Sequence, residues 1–501
     1  MLQPMPAWII DPVAWLRGWN ALGVALLLIE WLIRVLLIVR IVRRRCPGPE
    51  SLGWIVLIGL VPFFGLFFYA FMGERQLGMR RVRRHEQIAR SVDKAAVADA
   101  LAGMQDWWQT HGQAQQLARA AQTLTDIPPV AGNTLELIDS ASDLLDRLIA
   151  DIDRAEHHVN MLYYIWGNSA HAGVVCDALA RAAGRGVACR VMADAVGSRV
   201  WLKGPWPARL RAAGVHVQAG LPVNLFRRRL HRIDLRNHRK ITVIDGHIAY
   251  CGSQNLTDER VRTRRIPPRY RFWIDATCRI QGPAATALQA AFLADWLTST
   301  DEASIPDIKQ YLAVAKPSGD SIVHVVPSGP TSRVDAIHQS LVTMLSVAQR
   351  EIMMTTPYFV PDAAIKAAIV SASLRGVQVT LILPEQLDNA IVAAAARAHY
   401  AELLEAGVRI FHHQGGLLHA KAAVVDGELA MIGSANLDMR SFWINFECTL
   451  LVYDAPFAQR VRDLHKKYLG ESTEVSKPQW DKRTWAQNLR DNSAQLLAPL
   501  L

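Results

Sequence analysis

One short pattern, His-x-Lys-x-x-x-x-Asp, occurs twice in this chain of 501 residues, once in each half. The first copy runs from His238 through Lys240 to Asp245, and the second from His419 through Lys421 to Asp426. Each is followed by Gly-Ser-x-Asn: Gly252-Ser253-Gln254-Asn255 and Gly433-Ser434-Ala435-Asn436. In both copies the serine lies fifteen residues beyond the histidine and the asparagine seventeen. A single surface His-x-Lys is usually a solvated strand edge. Two copies with matched downstream spacing imply a duplicated functional unit. They predict one active site built from two histidines and two lysines, a set that suits a phosphate diester.

The sequence around the motifs repeats as well. Each half opens on an amphipathic helix, at 144–155 and 334–348, followed by an apolar strand, at 158–166 and 351–360. Further strands follow at 184–194 and 374–384, then at 212–218 and 405–413, and then the motif strand. Alternating strands and helices with short connections predict an α/β fold: two duplicated domains in a pseudo-twofold arrangement. The boundaries read as 131–305 and 306–501, with a helical linker at 81–130 ended by Pro128-Pro129.

Alternation along a strand puts His238 and Lys240 on one face, and likewise His419 and Lys421. Histidine serves nucleophilic attack and proton transfer near neutral pH. Lysine holds non-bridging phosphate oxygens and the charge that builds on them. Ser253, Asn255, Ser434 and Asn436 offer neutral donors to the same oxygens. Asp245 and Asp426 stand at an odd offset, which turns them to the opposite face and predicts a structural role within the motif. A carboxylate on the second imidazole nitrogen is still needed. Glu447, in Asn445-Phe446-Glu447, is the candidate in the second half, and Asp275, in Phe-Trp-Ile-Asp, the one in the first. Metal ligation is disfavoured, since a lysine beside each repeated histidine repels a cation. Neither a metal nor another cofactor is expected.

The N-terminus carries the excess hydrophobicity of a chain that is 51% hydrophobic. Leu52–Met72 is 21 residues without a charge, long enough to cross a bilayer. Trp19–Val39 is nearly as apolar, and its Glu30 and Arg34 are i,i+4 partners that can neutralise each other. Residues 1–80 therefore predict a transmembrane hairpin with a basic juxtamembrane segment, and no cleavage site follows the first span. Arginines at 75–84 outnumber those at 43–45, which favours a cytoplasmic catalytic region. Basic runs at 227–236 and 260–271 flank the first motif, and net charge is +10, so an anionic partner fits. The six cysteines form no CxxC pair.

With these residues in view, the chain resembles the phospholipase D superfamily, whose hallmark is the duplicated HxKxxxxD motif followed by GSxN. Within it the likeness is to membrane-anchored bacterial cardiolipin synthases. It extends through Val61-Pro62-Phe63-Phe64-Gly65, Tyr164-Ile165-Trp166, Asn237-His238-Arg239-Lys240, Thr356-Pro357-Tyr358-Phe359 and Asn445-Phe446-Glu447. The resemblance implies a phosphatidyltransferase of the bacterial inner membrane, joining two phosphatidylglycerol molecules into cardiolipin and glycerol. It implies catalytic His238, Lys240, Asp245, His419, Lys421 and Asp426, a phosphohistidine on His238, and acid/base work by His419. The first half has no Asn-Phe-Glu counterpart, so its orienting acid is the less defined. A hydrolytic phospholipase D shares every catalytic residue. A nucleic-acid phosphodiesterase fits the basic charge, but gains nothing from a membrane hairpin, so no nucleic acid partner is expected.

Overall fold

A computed structural model describes residues 21–43, 48–61, 63–73, 112–222, 234–258, 266–300, 308–330 and 336–498. The arginines at 75–84, most of the proposed linker, and the basic runs at 227–232 and 260–265 lie outside these residues. The chain divides into two compact units, residues 1–75 with 225–234, and residues 76–224 with 235–501.

The first unit contains helices Ala21–Arg43, Gly48–Leu60 and Phe64–Met72. In the first of these Arg34 donates through Nε to Glu30 at 2.6 Å, and both side chains are buried. The expected mutual neutralisation is therefore in place, and Arg34 Nη1 also reaches the Gly59 carbonyl at 3.2 Å. The second apolar stretch departs from expectation. Instead of one 21-residue span it forms helices of 13 and 9 residues. The sequence places Pro62, which lacks an N–H, between them, and Phe63 takes a left-handed φ of 58°. Among the described residues no helix is long and apolar enough to cross a membrane. Gly65 sits where a Cβ would come within 2.5 Å of the Leu57 carbonyl, so the close approach of the two short helices at this point requires glycine.

The second unit is built on one large sheet and two short parallel pairs. The first half supplies β1 (Val130–Ile138), β2 (His158–Tyr163), β3 (Ala188–Asp194), β4 (His216–Gly220), β5 (Lys240–Ile244), β6 (Ile248–Gly252), β7 (Trp273–Ile274) and β8 (Thr277–Gln281). The second half supplies β9 (Ser321–Ser328), β10 (Glu351–Thr355), β11 (Phe359–Val360), β12 (Gln378–Pro384), β13 (Arg409–His413) and β14 (Leu417–Leu418). It continues with β15 (Ala422–Val425), β16 (Leu429–Gly433), β17 (Leu437–Asp438), β18 (Glu447–Tyr453) and β19 (Ser472–Glu474). The order of the large sheet is β19-β13-β12-β10-β15-β16-β18-β9-β1-β8-β6-β5-β2-β3-β4. The short pairs are β7 with β14 and β11 with β17. Reading outward from the antiparallel β9–β1 pair, the two halves repeat the same order, and β19 is an addition at one edge. The duplication predicted from the motifs thus takes the form of a single continuous sheet.

Helices cover both faces. Ala141–Arg154 and Ala170–Gly184 pack on the first half, and Ala336–Val347 and Ala363–Leu374 on the second. On the other face, Ala284–Ser299 and Ala455–Gly470 share a core of Leu288, Phe457 and Val461 with the strands of both halves. The helix Gly112–Thr125, expected in a linker, instead buries Leu117, Ala118 and Ala121 in the core of the second half. Its spacing of apolar residues reads as an amphipathic helix; its docking partner lies two hundred residues away and is invisible locally.

Candidate active site

Both motif histidines approach their strands through the opposite half. The His238 N–H donates to the Phe446 carbonyl at 2.9 Å, and the Phe446 N–H returns a bond to Arg236. Likewise the His419 N–H donates to the Ile274 carbonyl at 2.7 Å, beside the parallel pairing of β14 with β7. Each histidine is thereby stitched to the segment that carries the other half's carboxylate.

The side chains complete the exchange. His238 Nδ1 lies 2.9 and 3.0 Å from the two oxygens of Glu447, and His419 Nδ1 lies 2.6 Å from Asp275 Oδ1. The two acids anticipated from sequence are both present, but each was expected to serve its own half. They are crossed. Pairing explains it: β7 pairs with β14 of the second half, and Phe446, just before β18, bridges Asn237 of the first, so an assignment by sequence proximity points the wrong way.

Lys240 and Lys421 each donate from Nζ to the carbonyl of their own motif histidine, Lys240 at 2.6 Å. Both are buried. Tyr164 sets its ring edge-on to His238 at 4.9 Å between centroids, and Trp273 does the same to His419 at 4.7 Å.

Three of the sequence expectations need revision in detail. Ser253 and Ser434 are fully buried and donate to Asp275 and Glu447, at 2.7 and 2.5 Å. They hold the carboxylates and do not face a substrate. Asn255 accepts from the Ile165 N–H at 3.1 Å, and Asn436 donates to Asp438 at 3.2 Å, so both also brace the walls of the site. Asp245 and Asp426 are remote from the imidazoles. Asp245 accepts three backbone N–H bonds of 2.8 Å from Glu156, His157 and His158, and Asp426 accepts from Gln349, Arg350 and Glu351 at 2.7–2.9 Å. The odd offset pointed to this structural place, and listing them with the catalytic set does not describe where they stand.

Sequence reasoning missed Arg239. It is 1% exposed and binds Asp295 at 2.8 Å, the Ser328 carbonyl at 2.9 Å and the Glu447 carbonyl at 2.9 Å. Asn237 donates to the same Asp295. Alternation had already turned residue 239 away from the histidine face, and an alanine at 420 in the second copy gave no signal of importance.

Burial dominates the electrostatics. It pushes His419 down to about 4, assisted by the Lys421 ammonium and opposed by Asp275. Burial also lowers His238, against Glu447. Lys240 falls to about 8 and Lys421 to about 7, again through burial, with Glu447 and Asp275 resisting. Burial works to raise Asp275, but His419, Lys421 and the Ser253 hydroxyl outweigh it and hold it at about 2. Lys421 acts on His238 and Lys240 on His419, so the two motifs share one electrostatic environment. Burial thus favours the neutral form of both imidazoles, each Nδ1 facing a carboxylate and each Nε2 left as the reactive nitrogen, beside two lysines that lose charge as pH rises past about 7 and 8. Such a set can attack phosphorus, move a proton and hold an anion. Among the described residues no cluster of three or more His, Cys, Asp and Glu is placed to hold a metal ion.

Known proteins share both sequence and architecture with this chain. The family model described as cardiolipin synthase, PLD-like domain, matches residues 148–265 and 341–468, one segment in each half. Cardiolipin synthase A of Erwinia tasmaniensis is 37% identical over 477 residues, covering 94% of this chain and 97% of that protein. The protein of the same name from Klebsiella pneumoniae strain 342 is 38% identical over 475 residues, with the same two coverages. The crystal structure of phosphatidylserine synthase from Haemophilus influenzae shares the fold, with a TM-score of 0.57, 15% identity, and coverage of 77% of this chain and 100% of that one. Matched in both halves and along nearly its whole length, this chain belongs to the cardiolipin synthase family of phospholipase D-like proteins.

Proposed function

We propose that this protein transfers a phosphatidyl group from one phosphatidylglycerol to the hydroxyl of a second, giving cardiolipin and glycerol. Family membership supports a phosphatidyltransferase. The observation that carries the chemistry is the crossed pair of dyads, His238–Glu447 and His419–Asp275, with a lysine beside each. In the reading we favour, His238 Nε2 attacks phosphorus and the bond to the headgroup glycerol oxygen breaks. His419 supplies the proton to that oxygen. The second lipid's hydroxyl then gives its proton to His419, and its oxygen displaces the imidazole from phosphorus. The single 2.6 Å bond to Asp275 is the one better suited to stabilise an imidazolium, which supports acid/base work at His419. Lys240 and Lys421 neutralise charge on the non-bridging oxygens. An anionic phosphodiester raises the affinity of a neighbouring imidazole for a proton, so substrate binding favours the charged acid.

The domain limits and the membrane reading belong to the same proposal. Residues 1–80 serve as the bilayer-embedded anchor of an inner-membrane enzyme, with the catalytic unit on the cytoplasmic side. Leu28, Trp31, Leu32, Phe64 and Phe67 are all exposed on the first unit, a surface that suits lipid better than water.

The test uses purified full-length protein in mixed micelles with phosphatidylglycerol labelled in the headgroup glycerol and in the acyl chains. Labelled cardiolipin and free glycerol are expected in equal amounts. Phosphatidic acid in place of cardiolipin would make the protein a hydrolase, and no turnover of the lipid would remove the proposal.

A further inference from the structure

The catalytic unit carries an apolar surface of its own. The last helix, Trp485–Gln495, turns its usual polarity around. Asp491 and Ala494 are buried against the protein, whereas Trp485 is 77% exposed, Leu489 48% and Leu496, at the C-cap, 82%. Spacings of four and seven put these three on one stripe. Single exposed apolar residues are ordinary; an aligned stripe facing solvent is not. The helix is firmly seated, because Asp491 binds Arg397 Nε at 3.0 Å and also Arg483 and Arg490.

Topology fixes where this stripe lies. The helix packs on Ala390–Arg397, which follows the C-terminal end of β12 and packs on β11. β12 is parallel to β10, and Thr355 at the end of β10 pairs with Ala422, three residues past His419. The stripe is therefore at the same end of the sheet as the motif histidines. The first half presents a counterpart at the equivalent loop after β3. Tyr163 pairs with both Ala193 and Lys240, so that loop also stands at the histidine end, and it exposes Val196 and, at 72%, Val200. Exposed Arg199 and Lys203 flank Val200, and exposed Lys482 precedes Trp485, while the one carboxylate within the last helix is buried and neutralised by arginines.

We propose that this rim is a second membrane-contact surface, by which the catalytic unit lays its open end on an anionic lipid surface. The occupant follows from the chemistry: tryptophan and aliphatic side chains bordered by cations suit the headgroup–acyl boundary of an anionic bilayer. The inference rests on the proposed lipid substrate, which stays in its bilayer and must reach both histidines.

The experiment uses the full-length chain with Cys46, outside the described residues, replaced by serine; the five remaining cysteines are buried. A bimane label goes on Leu489→Cys and, as a control, on Glu428→Cys, which is exposed in the β15–β16 turn at the far end of the sheet. In phosphatidylglycerol vesicles containing brominated acyl chains, emission at 489 should fall at least about twofold while emission at 428 stays unchanged. The triple variant Trp485→Gln, Leu489→Gln, Leu496→Gln should lower the rate on vesicles about tenfold more than the rate on micelles. Equal emission at the two labels, or equal losses in both lipid forms, would overturn the proposal. So would concentration-dependent shielding of 489 without quenching, which would assign the stripe to a second copy of this chain. Quenching needs no turnover. Cardiolipin formed without quenching defeats this surface alone, and quenching without cardiolipin defeats only the proposed reaction.

Discussion

Glu447, on a strand of the second half, grips the ring of His238, in the first half, through two bonds of 2.9 and 3.0 Å. The converse bond, accepted by Asp275 from His419 Nδ1, makes the exchange reciprocal. Neither half holds both members of a dyad. Duplication has here become mutual dependence: the shared sheet brings the halves together, and their exchanged straps finish the chemistry.

The crossing predicts which variants impair which step. Glu447→Gln and Asp275→Asn should each lower kcat by about 10²–10⁴-fold, the range for removing the charge behind a catalytic imidazole. In a His419→Ala background, where phosphatidyl label should accumulate on His238, adding Glu447→Gln should abolish that label and adding Asp275→Asn should not. Labelled lipid and peptide mapping read the result. Loss of label with Asp275→Asn instead would mean that each acid acts on the histidine of its own half.

Asp245 and Asp426 should behave as structural residues. Each holds three N–H groups and sits at a positive φ, 49° and 56°. Alanine there leaves donors unmet and strains the turn, at a cost of about 1–3 kcal/mol. Asparagine tolerates the backbone and should keep kcat within about threefold while lowering the urea midpoint. A collapse of kcat in a fully folded Asp245→Asn protein would return this residue to the chemistry.

Much of this was legible in the sequence, and the limits have physical causes. Matched spacing exposed the two histidines and lysines, and strand alternation separated Asp245 from Lys240. The carboxylates were legible by type but not by partner, because partner choice depends on which strands lie adjacent across the two halves. The serines looked like substrate donors because a buried hydroxyl bound to Asp275 and a cleft-facing one read alike in sequence. The apolar run 52–72 reads as one continuous span, but that continuity hid the break at Pro62-Phe63, where a residue without an N–H precedes one with a positive φ.

Arg239 should prove essential to folding. Its guanidinium joins Asp295 of one half to carbonyls of the other, almost without solvent. Arg239→Ala abandons a buried carboxylate, a loss of about 3–5 kcal/mol. Arg239→Met with Asp295→Leu removes both charges and should cost less than Arg239→Ala alone. Chemical unfolding of the three proteins tests this. If the double variant is the least stable, the arginine acts mainly through its carbonyl bonds.

The pH profile follows from the lysines and His419. Burial has brought Lys421 to about 7 and Lys240 to about 8, so each is charged below its value and loses its proton as pH rises through it. His419, at about 4, is neutral across the same window, so the proton it uses as acid is taken up with substrate; this adds a steady fall above that value, which the lysines steepen between about 7 and 8. The rate constant kcat/KM, which reports the free enzyme, should therefore fall more steeply as pH rises from about 7 to 8. Bound phosphodiester favours the charged ammonium, so kcat should begin its fall at higher pH than kcat/KM. Lys421→Arg, which keeps its charge at any working pH, should lower the rate yet leave a fall steepened by Lys240 alone. Initial rates in mixed micelles, measured with wild type and variant across this window, provide the check. A wild-type profile that does not steepen in this window would mean that the charge on these two groups is not required, and would leave phosphate neutralisation to residues other than Lys240 and Lys421.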